Sequence, residues 1–187
     1  MNATDPPGRA ADAAADHTAP AGSPATVAPA RQSLVALCRS LPGDGLTLPD
    51  VAALEAFGAR LAQTVLGALA HGPLVLSLEG DLGAGKTTLA RALLQAMGHD
   101  GPVRSPTYTL FETYRVADRE IAHVDLYRVV DPQELELIGF DELVADSDLL
   151  LVEWASRGGR WMPAIDLRIR LHATADDART LSVETAA

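Results

Sequence analysis

Leu74-Val75-Leu76-Ser77-Leu78-Glu79-Gly80-Asp81-Leu82-Gly83-Ala84-Gly85-Lys86-Thr87-Thr88 is the stretch that decides the fold. Its first five residues form an apolar run of strand length. Gly80 to Thr87 then match the pattern Gly-x-x-x-x-Gly-Lys-Thr, a complete P-loop. Each residue type has a physical task. Glycines let the chain turn tightly, so that the backbone amides of Asp81, Leu82, Gly83, Ala84 and Gly85, continuing to Thr88, face a phosphate chain. Lys86 carries a mobile charge to the outer phosphates, and the Thr87 hydroxyl supplies a hard oxygen ligand for Mg²⁺. A helix opening at this point adds its positive end. Position between an apolar strand and a helix is the context in which the pattern is meaningful.

Working outward, the helix is expected to run through Leu89, Leu93, Leu94 and Met97, with Gly98 as its stop. Upstream, Val51, Leu54, Phe57, Leu61, Val65 and Leu69 recur every three or four residues after Asp50. That spacing predicts an amphipathic helix capped by Asp50 and ended by Gly72-Pro73. Downstream, Leu110–Tyr114 and Glu120–Leu126 read as paired strands. Asp131-Pro132-Gln133-Glu134 reads as a helix start with cap, first-turn proline and reciprocal glutamate, and Gly139 as that helix's end. Leu149-Leu150-Leu151-Val152 is a buried strand. Ile165, Leu167, Ile169 and Leu171 alternate with polar residues, which predicts a half-buried strand paired with Leu181–Val183. The expected fold is α/β: a mainly parallel central sheet with antiparallel additions and helices on both faces.

Two regions follow from composition. Residues 1–45 are rich in alanine and proline and read as a mostly disordered tail, with a short helical piece expected around Leu34–Arg39. Its removal to residue 40 is expected to leave stability nearly unchanged. Residues 46–187 form the P-loop domain. The chain of 187 residues is 48% hydrophobic, enough for a packed core. Cys38 is the only cysteine, which excludes an intrachain disulfide and a four-cysteine zinc site. No apolar run approaches the roughly 18–20 residues of a membrane span, and no signal peptide is legible, so a reducing cytoplasm is the expected compartment. Net charge is −10, which argues against broad nucleic-acid binding by this chain alone. Lysine occurs once, at Lys86, against 14 arginines.

A P-loop site needs a second acid at the end of a buried strand. Glu153 follows four apolar residues and ranks first; Asp125 ends a run interrupted by His123 and ranks second. On pattern alone, Thr107 is as simply a turn residue, Trp154 a core residue and His123 a core or sheet-face histidine. Asparagine occurs only at position 2, so the guanine-reading Asn-Lys-x-Asp motif is absent and adenine is the expected base. The alternative classes are a small-molecule P-loop kinase and a nucleotide-dependent binding module whose hydrolysis is incidental.

The P-loop, Ser105-Pro106-Thr107-Tyr108-Thr109-Leu110, His123-Val124-Asp125-Leu126-Tyr127-Arg128, Asp131-Pro132-Gln133-Glu134-Leu135-Glu136, Gly139 and Val152-Glu153-Trp154 stand in one order and spacing. From about Leu46 to Val183 they resemble the bacterial TsaE (YjeE) family. The resemblance implies a small Mg²⁺-dependent ATPase that supports threonylcarbamoyladenosine synthesis on tRNA. It implies TsaB and TsaD as partners, with tRNA engaged only through their complex and no membrane. It also implies Lys86, Glu153 and Asp125 as catalytic, Thr87 and Glu153 at Mg²⁺, and a switch-like Ser105–Tyr108 loop. Trp154, Asp50 and Arg179 would lie near the nucleotide, the last two beside adenine.

Overall fold

The computed structural model describes residues 29–174 and 177–185. In chain order the elements are α1 (Pro29–Ser40), β1 (Leu46–Leu48), α2 (Val51–Leu69), β2 (Leu74–Glu79), α3 (Lys86–Ala96), β3 (Phe111–Val116), β4 (Arg119–Asp125), α4 (Glu134–Leu137), α5 (Phe140–Asp146) and β5 (Leu149–Glu153). A 3₁₀ segment (Ala155–Trp161), β6 (Leu167–Ala173) and β7 (Arg179–Thr185) complete the described chain. The seven strands form one sheet in the order β1-β7-β6-β2-β5-β4-β3. The four central strands, β6, β2, β5 and β4, run parallel. β7 and β3 join antiparallel on either side, and β1 pairs antiparallel with β7. This is the mainly parallel sheet with antiparallel additions that the sequence predicts.

Each face of the sheet has its own apolar core. Leu74, Leu76 and Leu78 of β2 and Leu149 and Leu151 of β5 pack with α2 and α3. The alternate residues Leu150 and Val152 pack with Ala122 and Val124 of β4 and with Leu135 and Phe140 of α4 and α5. Period-two alternation thus sends successive side chains of one strand to opposite cores. With both faces covered, β5 is buried throughout, which explains its continuous apolar run.

The start signal of α2 acts as expected, whereas α4 begins later than its signal predicts, at Glu134, with Pro132 in the preceding turn. The Asp50 carboxylate accepts the Ala53 amide at 2.7 Å and caps α2. At α4 the Glu134 carboxylate accepts the Asp131 amide at 2.9 Å while Asp131 accepts the Gln133 amide at 2.9 Å. The Asp50 bond satisfies an amide that a helix leaves open at its first turn, and the Asp131 and Glu134 bonds close the turn that leads into α4.

Over the part described, the helical piece expected around Leu34–Arg39 is present, but it is longer and docked, which corrects both the disorder expected to residue 45 and the expectation that removal to residue 40 leaves stability nearly unchanged. Residues 1–28 lie outside the described residues. Residues 29–40, however, form α1, which packs on the α2 side of the sheet. Leu34 is 0% exposed, and Leu37, Cys38 and Leu41 pack beside it. The Arg31 guanidinium donates to Asp166 Oδ1 at 2.7 and 2.8 Å, while Asp166 Oδ2 accepts the Val75 amide at 2.9 Å. Alanine-rich composition obscured that Leu34, Leu37 and Cys38, with Leu41 just past the helix end, form an apolar stripe that suffices to dock a three-turn helix. Leu34→Ala is therefore expected to lower unfolding free energy by about 2–3 kcal/mol, within the range for emptying a buried leucine site. Urea titration measures this, and an unchanged midpoint at unchanged slope would show that α1 does not contribute.

Candidate functional site

The site forms where the carboxyl-terminal ends of β2, β5 and β4 meet the amino-terminal end of α3. The loop between β2 and α3 is shaped by its glycines. Gly80 has φ of 138°, and a Cβ there would lie 2.1 Å from the Leu171 carbonyl oxygen. Gly85 has φ of 107°, and a Cβ would meet Leu54 Cδ2 at 2.7 Å. Both positions combine a left-handed backbone with a close approach that only glycine permits. The result is a cradle rimmed by Leu82, Gly83 and Gly85 around a cavity of about 340 Å³.

Lys86 opens α3 and is 5% exposed. Its Nζ donates to the carbonyl oxygens of Gly80 at 2.8 Å and Asp81 at 2.9 Å. Burial pushes the amine below its ordinary lysine value, against the opposing pull of the Glu153 and Asp125 carboxylates. The ammonium also sits 4.3 Å from the centre of the Trp154 ring, within cation–π range. Trp154 follows the last residue of β5 and has φ of 60°, ψ of 37°. A left-handed conformation is uncommon for a bulky residue. Here it turns the chain sharply at the strand end, where the ring meets Lys86. Tyr127 lies tilted against that ring at 5.2 Å, and the Arg157 guanidinium lies 5.6 Å from its centre.

The two strand-end acids are adjacent in register, Asp125 opposite Glu153, and each is 3% exposed. Their partners separate their tasks. Glu153 Oε1 accepts the Thr87 hydroxyl at 2.8 Å. Asp125 Oδ2 accepts the hydroxyls of Ser105 and Thr107, both at 2.7 Å, and its Oδ1 accepts the Tyr127 amide at 3.0 Å. Glu153 is thus bound to the P-loop helix, whereas Asp125 orders the two segments that face it. The ring-on-cation stack of Arg128 over Tyr108, at 4.2 Å, links the same two segments at the surface.

Most residues expected at the site from sequence do converge. Leu82, Gly83, Gly85, Lys86, Thr87, Thr88, Asp125, Glu153 and Trp154 line the cavity, joined by Ser105, Thr107 and Tyr127. Ala84 is buried beneath the loop, and Asp81 faces Lys86 through its carbonyl oxygen. Asp50 and Arg179 are not among the lining residues. Asp50 caps α2, and the Arg179 side chain runs beside Gly85, with Nη1 donating to the Asp177 carbonyl. His123 is fully buried, as a core histidine would be, but its Nε2 lies 2.9 Å from Glu153 Oε1. Sequence reading missed that bond and the roles of Tyr127 and Ser105 in holding Asp125. Only the break that His123 makes in an apolar run signalled the first.

The donor set fits a magnesium nucleotide. A hydroxyl and a carboxylate in contact are hard oxygen donors suited to Mg²⁺. The glycine cradle, the helix end and Lys86 suit a phosphate chain. Fold and site together define a P-loop protein with the architecture of nucleotide binding. Residues 48–181 match the family described as "Threonylcarbamoyl adenosine biosynthesis protein TsaE". The chain belongs to the TsaE family.

Among its relatives is the tRNA threonylcarbamoyladenosine biosynthesis protein TsaE of Haemophilus influenzae, 40% identical over 136 residues, which cover 73% of this chain and 85% of the relative. The protein of the same name from Bacillus subtilis is 38% identical over 108 residues, covering 58% and 67%. The crystal structure of YdiB from Bacillus subtilis superposes with a TM-score of 0.59 at 28% identity, covering 75% of this chain and 83% of that one. Among the described residues no helix is long and apolar enough to cross a membrane.

Proposed function

We propose that this chain is a Mg²⁺-dependent ATPase that supports formation of threonylcarbamoyladenosine on tRNA, acting with TsaB and TsaD in the cytoplasm. The observation that carries the reading is the 2.8 Å contact of Thr87 with Glu153 beside the buried Lys86, in a cavity rimmed by the P-loop. The names borne by the relatives, all in tRNA threonylcarbamoyladenosine biosynthesis, supply the process. The absence of any asparagine beyond position 2 favours adenine over guanine.

In this reading the P-loop amides and Lys86 hold the phosphates. Thr87 and Glu153 hold the metal, which when bound neutralises developing phosphate charge. Asp125 acts near the outer phosphate by fixing the Ser105–Tyr108 loop, so that loop geometry can follow nucleotide state. Trp154 flanks Lys86 and excludes water from one side of it. Asp50 and Arg179 are proposed near the base, where Arg179 passes beside Gly85.

None of the described residues lining the cavity is an arginine. P-loop enzymes without such a group hydrolyse slowly until one is supplied, with gains of roughly 10³–10⁵ in rate. The expected outcome is weak phosphate release by the chain alone, strong stimulation by purified TsaB–TsaD, and no response to tRNA alone. The acidic net charge of −10 supports the last expectation. Equal release in all three conditions contradicts the partner role. Transfer of labelled γ-phosphate to a metabolite would instead identify a kinase.

A further inference from the structure

We propose that His123 is a positioning residue, whose Nε2–H fixes the Glu153 carboxylate in the orientation that serves the metal. The inference rests on the magnesium–nucleotide reading of the site. β4 sends Ile121, His123 and Asp125 to the same face of the sheet, and β5 sends Leu149, Leu151 and Glu153 to that face beside them. His123 lies opposite Leu151, one pleat below the Asp125–Glu153 pair. From there Nε2 reaches up to Glu153 Oε1 at 2.9 Å, the oxygen that also accepts the Thr87 hydroxyl. One carboxylate oxygen therefore carries both donors, and Oε2 has no hydrogen-bond partner among the described residues.

The chemistry of the pair fixes the direction of the bond. A carboxylate oxygen accepts, so Nε2–H is the donor of this bond. The other ring nitrogen, Nδ1, is buried without a hydrogen-bond partner among the described residues. Leaving one polar atom unpaired in the core is unfavourable, and an apolar residue would fill the same place without that cost. The arrangement is thus poorly explained by packing and well explained by control of Glu153. Groups that hold metal-site ligands typically change metal affinity or activity about 10–100-fold when removed.

His123→Met removes the donor while keeping an apolar side chain of comparable reach. His123→Gln keeps an N–H close to the Nε2 position. Binding of a fluorescent ADP analogue is measured with Mg²⁺ and with EDTA, beside kcat and KM for ATP. In H123M the Mg²⁺-dependent gain in nucleotide affinity should fall by at least about tenfold and kcat with it, while affinity in EDTA stays at the wild-type value. H123Q should restore most of both. Should H123M fail to fold, His123→Asn replaces it: its amide stops short of Glu153, and it should show the same loss. A responsive wild type with an equally responsive H123M or H123N overturns the inference alone, as does a loss in H123Q as large as in either. A wild type whose nucleotide affinity ignores Mg²⁺ overturns the metal-site reading and this inference with it.

Discussion

Lys86→Ala is expected to abolish ATP hydrolysis while the fold persists. The ammonium is the one lysine charge in the chain, and it stands at the foot of the phosphate cradle. Preorganised charge in a site shielded from water acts with little reorganisation as the reaction proceeds. Its removal should cost about 10²–10³ in kcat or more, equivalent to ~3–4 kcal/mol of transition-state stabilisation. Stability should respond differently. Burial holds the amine below its ordinary value, so the folded state bears a desolvation cost that alanine lacks. The hydrogen bonds to the Gly80 and Asp81 carbonyls and the contact with Trp154 offset that cost. The melting temperature of Lys86→Ala should therefore stay close to wild type. Phosphate-release assays and thermal unfolding measure the two effects separately, and wild-type turnover in this variant is incompatible with the P-loop assignment.

Glu153→Gln is expected to have the second largest effect, and a more selective one. The substitution keeps the size of the side chain and an oxygen that can accept from Thr87, but it removes the negative charge. In the proposed reading the phosphates are held elsewhere, by the P-loop backbone and Lys86. Nucleotide affinity without Mg²⁺ should stay at the wild-type value, while kcat falls by roughly 10²-fold, the scale of a lost electrostatic contact in a catalytic site. Binding isotherms in EDTA and steady-state kinetics in Mg²⁺ provide the comparison. Binding and hydrolysis falling in equal proportion would mean that Glu153 holds the nucleotide rather than the metal.

The parts of this molecule that sequence reading recovers are those whose physics is local. The P-loop is legible because glycine, lysine and threonine must occupy fixed offsets around one turn. Helix α2 is legible because its apolar stripe and the Asp50 cap lie within one continuous segment. Glu153 is legible because β5, buried on both faces, must be apolar up to the residue that emerges at the strand end.

What escapes local reading depends on contacts between distant segments. Asp125 ranks behind Glu153 on strand pattern because His123 interrupts the apolar run before it. In the structure that histidine belongs there, since it bonds a residue 30 positions away. Asp125 itself acquires its role from Ser105 and Thr107, which arrive from a separate loop. The strand order, with β2 between β5 and β6, is equally a product of crossovers that no single segment encodes. Helix α1 is a different case. The sequence suggested a short helical piece around Leu34–Arg39, but alanine-rich surroundings masked that Leu34, Leu37 and Cys38, with Leu41 just past the helix end, form a stripe able to dock. The Arg31–Asp166 pair that ties it down spans 135 positions.

The central claim, that ATP hydrolysis at this site serves threonylcarbamoyladenosine formation, is tested most directly by tRNA nucleoside analysis in cells depleted of the protein. Depleted cells are supplied with either the wild-type chain or Lys86→Ala at matched expression. The account predicts that threonylcarbamoyladenosine declines on depletion, returns with the wild-type chain and does not return with Lys86→Ala. Undiminished threonylcarbamoyladenosine after depletion, or full restoration by Lys86→Ala, would contradict it.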